Sequence, residues 1–243
     1  MAKQTTEYIC SNCGAKAPQM LGRCPVCGEW GTYEENTVVS TPVGKRPLSS
    51  IGEGARPQRI QEVTATEEMR IDMHNGELNR VLGGGLVPGS LVLLGGEPGI
   101  GKSTLALQVL MQLGGRKTLY ASGEESVRQL KLRAERLAGN PENLFIVSET
   151  SLERILDDVT DIQPDVVVVD SIQTIGCDSV EATIGSLSQV RECAARILQF
   201  AKEKNVPFFI IGHINKEGSL AGPKVLEHIV DTVLQFEGDQ HYM

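Results

Sequence analysis

The sequence lacks any apolar run long enough to cross a bilayer. Its longest apolar runs, such as 166–169, fall far short of the roughly 18 residues that a membrane-spanning helix needs. The opening ten residues, MAKQTTEYIC, contain no apolar stretch of the kind found in secretory signal peptides. The sequence therefore predicts a soluble, cytoplasmic protein with no membrane partner.

The chain also has no excess of positive charge. The chain has 31 acidic and 23 basic residues, and its formal net charge of −8 repels polyanions. The charge is unevenly distributed: residues 1–60 carry seven basic and five acidic residues, and the remainder carries sixteen and twenty-six. Any contact with nucleic acid would therefore have to be made by a local patch.

The six cysteines do not have the spacing of a disulfide framework. Two of them, Cys177 and Cys193, stand apart from the others and from each other. The other four form two close pairs, which favours metal binding in a reducing compartment over disulfides.

The paired cysteines have the spacing of a zinc ribbon. The pattern is C-x2-C, ten residues, C-x2-C, and a glycine follows each pair and can supply the positive φ that the turn needs. Four thiolates form a closed tetrahedral site with no position for water or substrate, so the Zn²⁺ is expected to be structural. The predicted ligands are Cys10, Cys13, Cys24 and Cys27.

Three segments of different composition follow one another along the chain. Residues 1–33 contain the cysteine pairs and are predicted to form the ribbon. Residues 34–61 have the three prolines and few large apolar residues of a linker. From residue 62 to 243, strands alternate with helices, which predicts an α/β core with a mainly parallel sheet.

The core pattern is regular enough to predict individual elements. The helix at 187–204 has its apolar residues on one face, as expected for a helix that packs on a sheet. The last apolar run, 229–236, either forms an edge strand or indicates a piece of a longer protein. Predicted strands are 91–94, 118–121, 144–147, 166–169, 206–211 and 229–236, and predicted helices are 102–113, 126–137, 151–159 and 187–204.

A phosphate-binding loop connects the first of these strands to the first helix. The motif G-x4-G-K-S lets successive backbone N–H groups and the helix N-terminus face phosphates. Lys102 would reach the β and γ phosphates, and Ser103 would offer its hydroxyl to Mg²⁺. The sequence thus predicts binding of ATP with Mg²⁺ by Gly96, Glu97, Pro98, Gly99, Ile100, Gly101, Lys102, Ser103 and Thr104.

Three further residues are candidates for this site. Asp170 ends a buried apolar strand and is expected to hold Mg²⁺ beside Ser103, or otherwise to cap the following turn. Glu124 is favoured as the base that orients water, although it and Glu125 could merely be first-turn residues stabilised by a helix dipole. His213, after an apolar strand, could sense the γ phosphate or be structural.

Taken together, the motifs resemble the RadA (Sms) family of bacterial DNA repair and recombination ATPases, relatives of RecA and the DnaB helicases. The resemblance covers essentially the whole chain and implies a RecA-like core in which Glu124 activates water and His213 couples nucleotide state to the next loop. Besides the ribbon, the segments that carry it are ELNRVLGGGL (77–86), GGEPGIGKST (95–104), SGEES (122–126), VDSIQ (169–173), GHINK (212–216) and GPKVLEH (222–228).

The same resemblance implies partners. It predicts hexameric rings in the full-length protein, ATP-driven movement on single-stranded or branched DNA, and a RecA-type recombinase as a candidate partner. Residues 176–186 and 215–224 would be the DNA-facing loops, the second with Lys216 and Lys224 near phosphates. Two lysines in a glycine-containing loop are otherwise simply solvated.

Two other functions stay open at this point. One is a regulatory ATPase of the KaiC type that acts through protein partners, and the other is a small-molecule kinase, for which no motif indicates an acceptor pocket. The family's Lys-Asn-Arg-Phe-Gly motif and Lon-protease-like domain would lie beyond Met243. The resemblance therefore predicts that the 243-residue chain binds nucleotide, turns it over slowly and forms no stable rings.

Overall fold

The computed structural model describes residues 4–10, 16–26, 28–39, 59–62, 70–137, 142–213 and 226–237. Within these ranges there are two sheets, one of three strands and one of six. No helix in these ranges is long and apolar enough to cross a membrane.

The cysteine-containing segment forms a three-stranded antiparallel sheet. Its strands are β1 (Gln4–Cys10), β2 (Lys16–Ala17) and β3 (Tyr33–Val39), in the order β2-β1-β3. Strand β3 pairs with β1 along its whole length, from Cys10 opposite Tyr33 to Gln4 opposite Val39. The sheet therefore includes residues 34–39, which the sequence assigned to the linker. Most of the remaining linker lies outside the described residues.

The second sheet is entirely parallel and has the order β6-β5-β7-β8-β4-β9. The predicted α/β class with a mainly parallel sheet is confirmed, and all six predicted strands and four predicted helices are present. The strands are β4 (Leu91–Gly96), β5 (Thr118–Ser122), β6 (Leu144–Ser148), β7 (Val166–Asp170), β8 (Phe208–His213) and β9 (Thr232–Phe236), and the helices are α1 (Gly76–Val81), α2 (Lys102–Gln112), α3 (Val127–Arg136), α4 (Leu152–Ile162) and α5 (Leu187–Lys204).

Helix α1 was not predicted. It has only six residues, so its sequence shows little helical periodicity. Asn75 caps it by accepting a hydrogen bond from the backbone N–H of Leu78 at 2.9 Å. A short capped helix of this kind depends on burial of Leu78 in the core.

Alternate residues of each central strand face two separate apolar layers. In β7, Val167 and Val169 pack in the layer that contains α4 and α5. Val166 and Val168 pack in the opposite layer, with α2 and α3. Because both faces are covered, the strands read as continuous apolar runs, which is why their sequence positions were predictable.

The carboxyl ends of the strands meet at one edge of the sheet. Gly96 at the end of β4 lies opposite His213 at the end of β8. Ser122 at the end of β5 lies opposite Asp170 at the end of β7. In open parallel sheets ligands bind at this edge, so the fold brings the predicted site residues to one place.

The P-loop strand β4 lies between β8 and β9. Strand β9 is the outermost strand on its side of the sheet, that is, an edge strand, in agreement with one of the two predictions for this run. Asp231, just before β9, accepts a hydrogen bond from the backbone N–H of Leu91 at 2.8 Å and pairs with Lys202 on α5 at 2.8 Å. These contacts fix the start of β4 and therefore the direction in which it enters the P-loop.

Candidate nucleotide-binding site

The P-loop turns from β4 into α2 through glycines in the left-handed region. Gly99 has a φ of 80° and Gly101, the N-cap of α2, has a φ of 103°. A Cβ at either position would meet no other atom within 4 Å, so these glycines serve the backbone conformation and not packing. No side chain caps α2, and its first N–H groups are available to an anion.

Exposure varies sharply along this loop. The residues at its tip are accessible to a ligand, whereas the lysine that follows is enclosed by the loop. Glu97, Pro98, Gly99 and Thr104 are exposed, Ile100, Gly101 and Ser103 are half-buried, and Lys102 is buried.

The Lys102 ammonium lies inside the concave side of the loop. It is 3 % exposed and donates hydrogen bonds to the carbonyl oxygens of Gly96 and Glu97, each at 2.8 Å. Burial lowers the pKa of Lys102, while the nearby carboxylates of Asp170 and Glu124 act against that shift. One cation therefore lies within electrostatic reach of both predicted acidic residues.

Asp170 has one satisfied and one unsatisfied carboxylate oxygen. Its Oδ2 accepts a hydrogen bond from the Tyr120 hydroxyl at 2.5 Å. Its Oδ1 is buried and has no hydrogen-bond partner among the described residues. A buried carboxylate oxygen without a partner is costly, and a divalent cation with oxygen ligands would satisfy it. The residues present therefore fit Mg²⁺.

The structure distinguishes the two adjacent glutamates. Both precede the N-cap of α3, Ser126, so neither lies in the first turn of that helix. Glu125 forms an ion pair with Arg133 on α3. Glu124 instead accepts a hydrogen bond from the Ser171 hydroxyl at 2.5 Å, and its Oε1 is 3.3 Å from Nε2 of His213. Glu124 thus lies at the edge of the sheet with the P-loop.

His213 connects Glu124 to the residues after β7. Its carbonyl oxygen accepts a hydrogen bond from Nε2 of Gln173 at 3.5 Å. The Nδ1 of His213 and the Oε1 of Gln173 are buried without partners in the described part of the chain. The segment that follows His213, including Lys216 and Lys224, lies outside the described residues.

Sequence reasoning missed three residues of this site. Ser171 and Gln173 follow Asp170 directly, and their position after a buried strand was the available signal. Tyr120 lies within the buried strand β5, and its hydroxyl contacts Asp170. No local pattern indicated which of these side chains would meet.

The described part of the ribbon is consistent with a metal centre. Cys10 and Cys24 are each 1 % exposed and pack with Tyr33. Gly28 has the predicted positive φ, 79°. Cys13 and Cys27 lie outside the described residues, so the described ranges contain no complete cluster of three or more metal-binding side chains.

Comparison with known proteins finds a matching family for each of the two parts of the chain. Residues 55–219 match the family described as AAA domain, and residues 8–35 match the family described as rubredoxin metal binding domain. A KaiC-like protein from the archaeon Pyrococcus horikoshii OT3 superposes with a TM-score of 0.57 over 70 % of this chain and 82 % of its own, at 21 % identity. At that identity the likeness shows the RecA/KaiC-like P-loop fold alone.

Sequence relatives extend over the whole chain. Proteins named DNA repair protein RadA from Bacillus subtilis, Listeria monocytogenes and Streptococcus pyogenes are 50 %, 47 % and 48 % identical to it and cover 99–100 % of it. The alignments include only 54 %, 53 % and 53 % of those proteins, so the chain spans about half the length of the curated relatives it matches. The chain therefore belongs to the AAA domain family, and over its whole length it is similar to the proteins named DNA repair protein RadA, as its motifs indicated.

Proposed function

We propose that this chain binds ATP with Mg²⁺ and hydrolyses it in a DNA-dependent manner during DNA repair and homologous recombination. The observation that carries the proposal is the convergence of one buried cation, Lys102, with the carboxylates of Asp170 and Glu124 at one edge of the sheet. These three groups come from three different strand ends. A purely structural core has no need to gather them beside an uncapped helix N-terminus.

Each residue has a role in this proposal. Backbone N–H groups of the P-loop and the Lys102 ammonium bind the β and γ phosphates. Ser103 and Asp170 hold Mg²⁺, which neutralises negative charge on the transferred phosphoryl group. Glu124 orients the attacking water and takes its proton. Ser171 holds Oε1 of Glu124 in place, and the Glu124 side chain is 40 % exposed, so water can reach it.

The DNA part of the proposal depends on two loops with different charge. Residues 176–186 contain no lysine or arginine, so this loop would contact DNA through its backbone and small side chains. The buried side chain of Gln189 holds it by donating hydrogen bonds to the carbonyl oxygens of Cys177, Val180 and Ala182 at 3.2, 2.7 and 3.1 Å. Contacts to phosphates then fall to Lys216 and Lys224. The relatives' name, DNA repair protein RadA, supports a DNA substrate.

The DNA dependence can be tested by measuring ATP hydrolysis with and without single-stranded DNA at two salt concentrations. We expect DNA to raise turnover at about 50 mM salt and to lose most of this effect at about 200 mM, because phosphate contacts release counterions. Substitution of Lys216 and Lys224 by alanine should reduce the salt dependence. Lys131→Ala, on the exposed face of α3, is the matched control.

If DNA leaves hydrolysis unchanged while Mg²⁺-dependent binding of ATP persists, the DNA-dependent function is wrong and the nucleotide site stands. Loss of Mg²⁺-dependent ATP binding in the folded wild-type chain would overturn the whole proposal. The KaiC-like structure carries no weight for the regulatory alternative, because it shows the fold alone.

The proposed zinc centre makes a separate prediction. Cys10→Ser should lower the bound zinc from about one ion per chain to well below one, because a closed structural site needs all four thiolates. Zinc is measured by elemental analysis of the purified protein. Trp30, the single tryptophan of the chain, lies in the ribbon, so its emission reports loss of this unit.

Cys193→Ser is the control for this experiment, because that thiol is buried in the α/β core. Full retention of zinc in Cys10→Ser, or its loss in Cys193→Ser, would contradict the assignment of the ligands.

A further inference from the structure

Tyr120 is a polar side chain in the middle of a buried strand. It is 0 % exposed and belongs to the apolar layer under α2. In the sheet it lies opposite Val168, two residues before Asp170 on β7. Alternate residues share a face, so Tyr120 and Asp170 lie on the same side of the sheet. The phenol extends from the core to the edge where the P-loop lies.

The Tyr120 hydroxyl binds a residue that the proposed site uses for Mg²⁺. It donates a hydrogen bond to Oδ2 of Asp170 at 2.5 Å. A phenol has a single proton, and Tyr120 donates it to Asp170. The hydroxyl therefore holds one oxygen of this carboxylate in place.

This hydrogen bond leaves one oxygen of Asp170 available. Tyr120 occupies Oδ2 of the carboxylate, while Oδ1 is buried and has no partner among the described residues.

We propose that Tyr120 is a positioning residue for the Mg²⁺ site, which orients Asp170 so that its Oδ1 faces the metal. The inference rests on the proposed function of this site. Partners that orient metal ligands in this way commonly change metal affinity about 10- to 100-fold when they are removed. Burial, and next the Asp170 carboxylate, raise the pKa of Tyr120, so the phenol keeps its proton at neutral pH.

The opposing explanation is that Tyr120 only fills space in the core. Loss of the hydroxyl would then change stability and leave the metal dependence of nucleotide binding as it was. Tyr120→Phe separates the two explanations because it keeps the ring and removes only the hydroxyl.

The test uses the wild-type chain and Tyr120→Phe with a non-hydrolysable ATP analogue. We expect nucleotide affinity in EDTA to be unchanged within about twofold, and the Mg²⁺ concentration for half-maximal binding to rise about 10- to 100-fold. Binding of Mn²⁺ to the ADP complex, followed by electron paramagnetic resonance, should weaken by a similar factor. Thr118→Val is the matched control, since it removes a hydroxyl from the buried opposite end of β5.

Each outcome decides one question. If wild type shows no metal-dependent binding, the proposed function fails. If wild type shows metal-dependent binding, and folded Tyr120→Phe has the same dependence on Mg²⁺ and Mn²⁺, the proposed role of Tyr120 is wrong.

A second measurement covers the case in which Tyr120→Phe does not fold. Wild-type chain with 3-fluorotyrosine at position 120 should show a shift of its fluorine resonance when Mg²⁺ is added to the ADP complex. An unchanged resonance, in a sample whose Mg²⁺ binding is verified by calorimetry, would contradict the proposal.

Discussion

Glu124→Gln should lower the rate of ATP hydrolysis by two to four orders of magnitude while ATP binding remains within a fewfold of wild type. A positioned general base typically contributes a factor of about 10² to 10⁴, and glutamine cannot take a proton from water. The substitution keeps the size of the side chain and an oxygen that can accept the Ser171 hydrogen bond. Single-turnover hydrolysis and equilibrium binding of ATP measure the two effects separately.

Glu125→Gln is the control for this experiment. Glu125 pairs with Arg133 and not with Ser171 or His213, so its loss should lower stability and leave hydrolysis close to wild type. The Arg133 guanidinium already has one buried nitrogen without a partner in the described structure, so removal of its carboxylate should be visible as a lower melting temperature. Equal loss of hydrolysis in the two variants would remove the reason to single out Glu124.

Lys102→Ala should weaken ATP binding by about two orders of magnitude, equivalent to about 3 kcal/mol. The expected loss reflects charge-assisted hydrogen bonds from the ammonium to phosphate oxygens, each of which contributes about 1.5–3 kcal/mol. In the structure this ammonium is held by two carbonyl oxygens of its own loop, so it is already directed to the concave side. Isothermal titration with ATP and Mg²⁺ measures the change.

Lys117→Ala serves as the control for charge. Lys117 precedes β5 and lies at the amino ends of the strands, opposite to the P-loop. Its ammonium donates a hydrogen bond to the carbonyl oxygen of Ile162. The Lys117→Ala variant should bind ATP with the affinity of the wild-type chain. Unchanged ATP affinity in folded Lys102→Ala would mean that the P-loop does not bind the triphosphate.

Much of the core could be predicted because its signals are local. The apolar runs of the strands reflect burial on both faces, and the P-loop motif carries its own turn and helix start. Asp170 could be placed at the carboxyl end of β7 from the run 166–169 alone. The strand pairing of the ribbon was harder to predict. The composition indicated that the ribbon ends at residue 33, whereas β3 continues to Val39.

The contacts between site residues could not be predicted, because they depend on strand order. Ser171 and Glu124 are 47 positions apart, and Tyr120 and Asp170 are 50 apart. They meet only because β5 and β7 are neighbours in the sheet. The contrast between Glu124 and Glu125 also depends on a distant feature, the position of Arg133 on the face of α3.

The strands beside β4 determine when, during synthesis, the P-loop gains its partners in the sheet. Both β8 and β9 come much later in the chain, and the hydrogen bond from Leu91 to Asp231 spans 140 positions. A nascent chain that has just emerged past the P-loop therefore has the motif but not its sheet partners. Because domains fold as the chain leaves the ribosome, affinity for the triphosphate should arise only after β9 has emerged, among the last steps of core assembly.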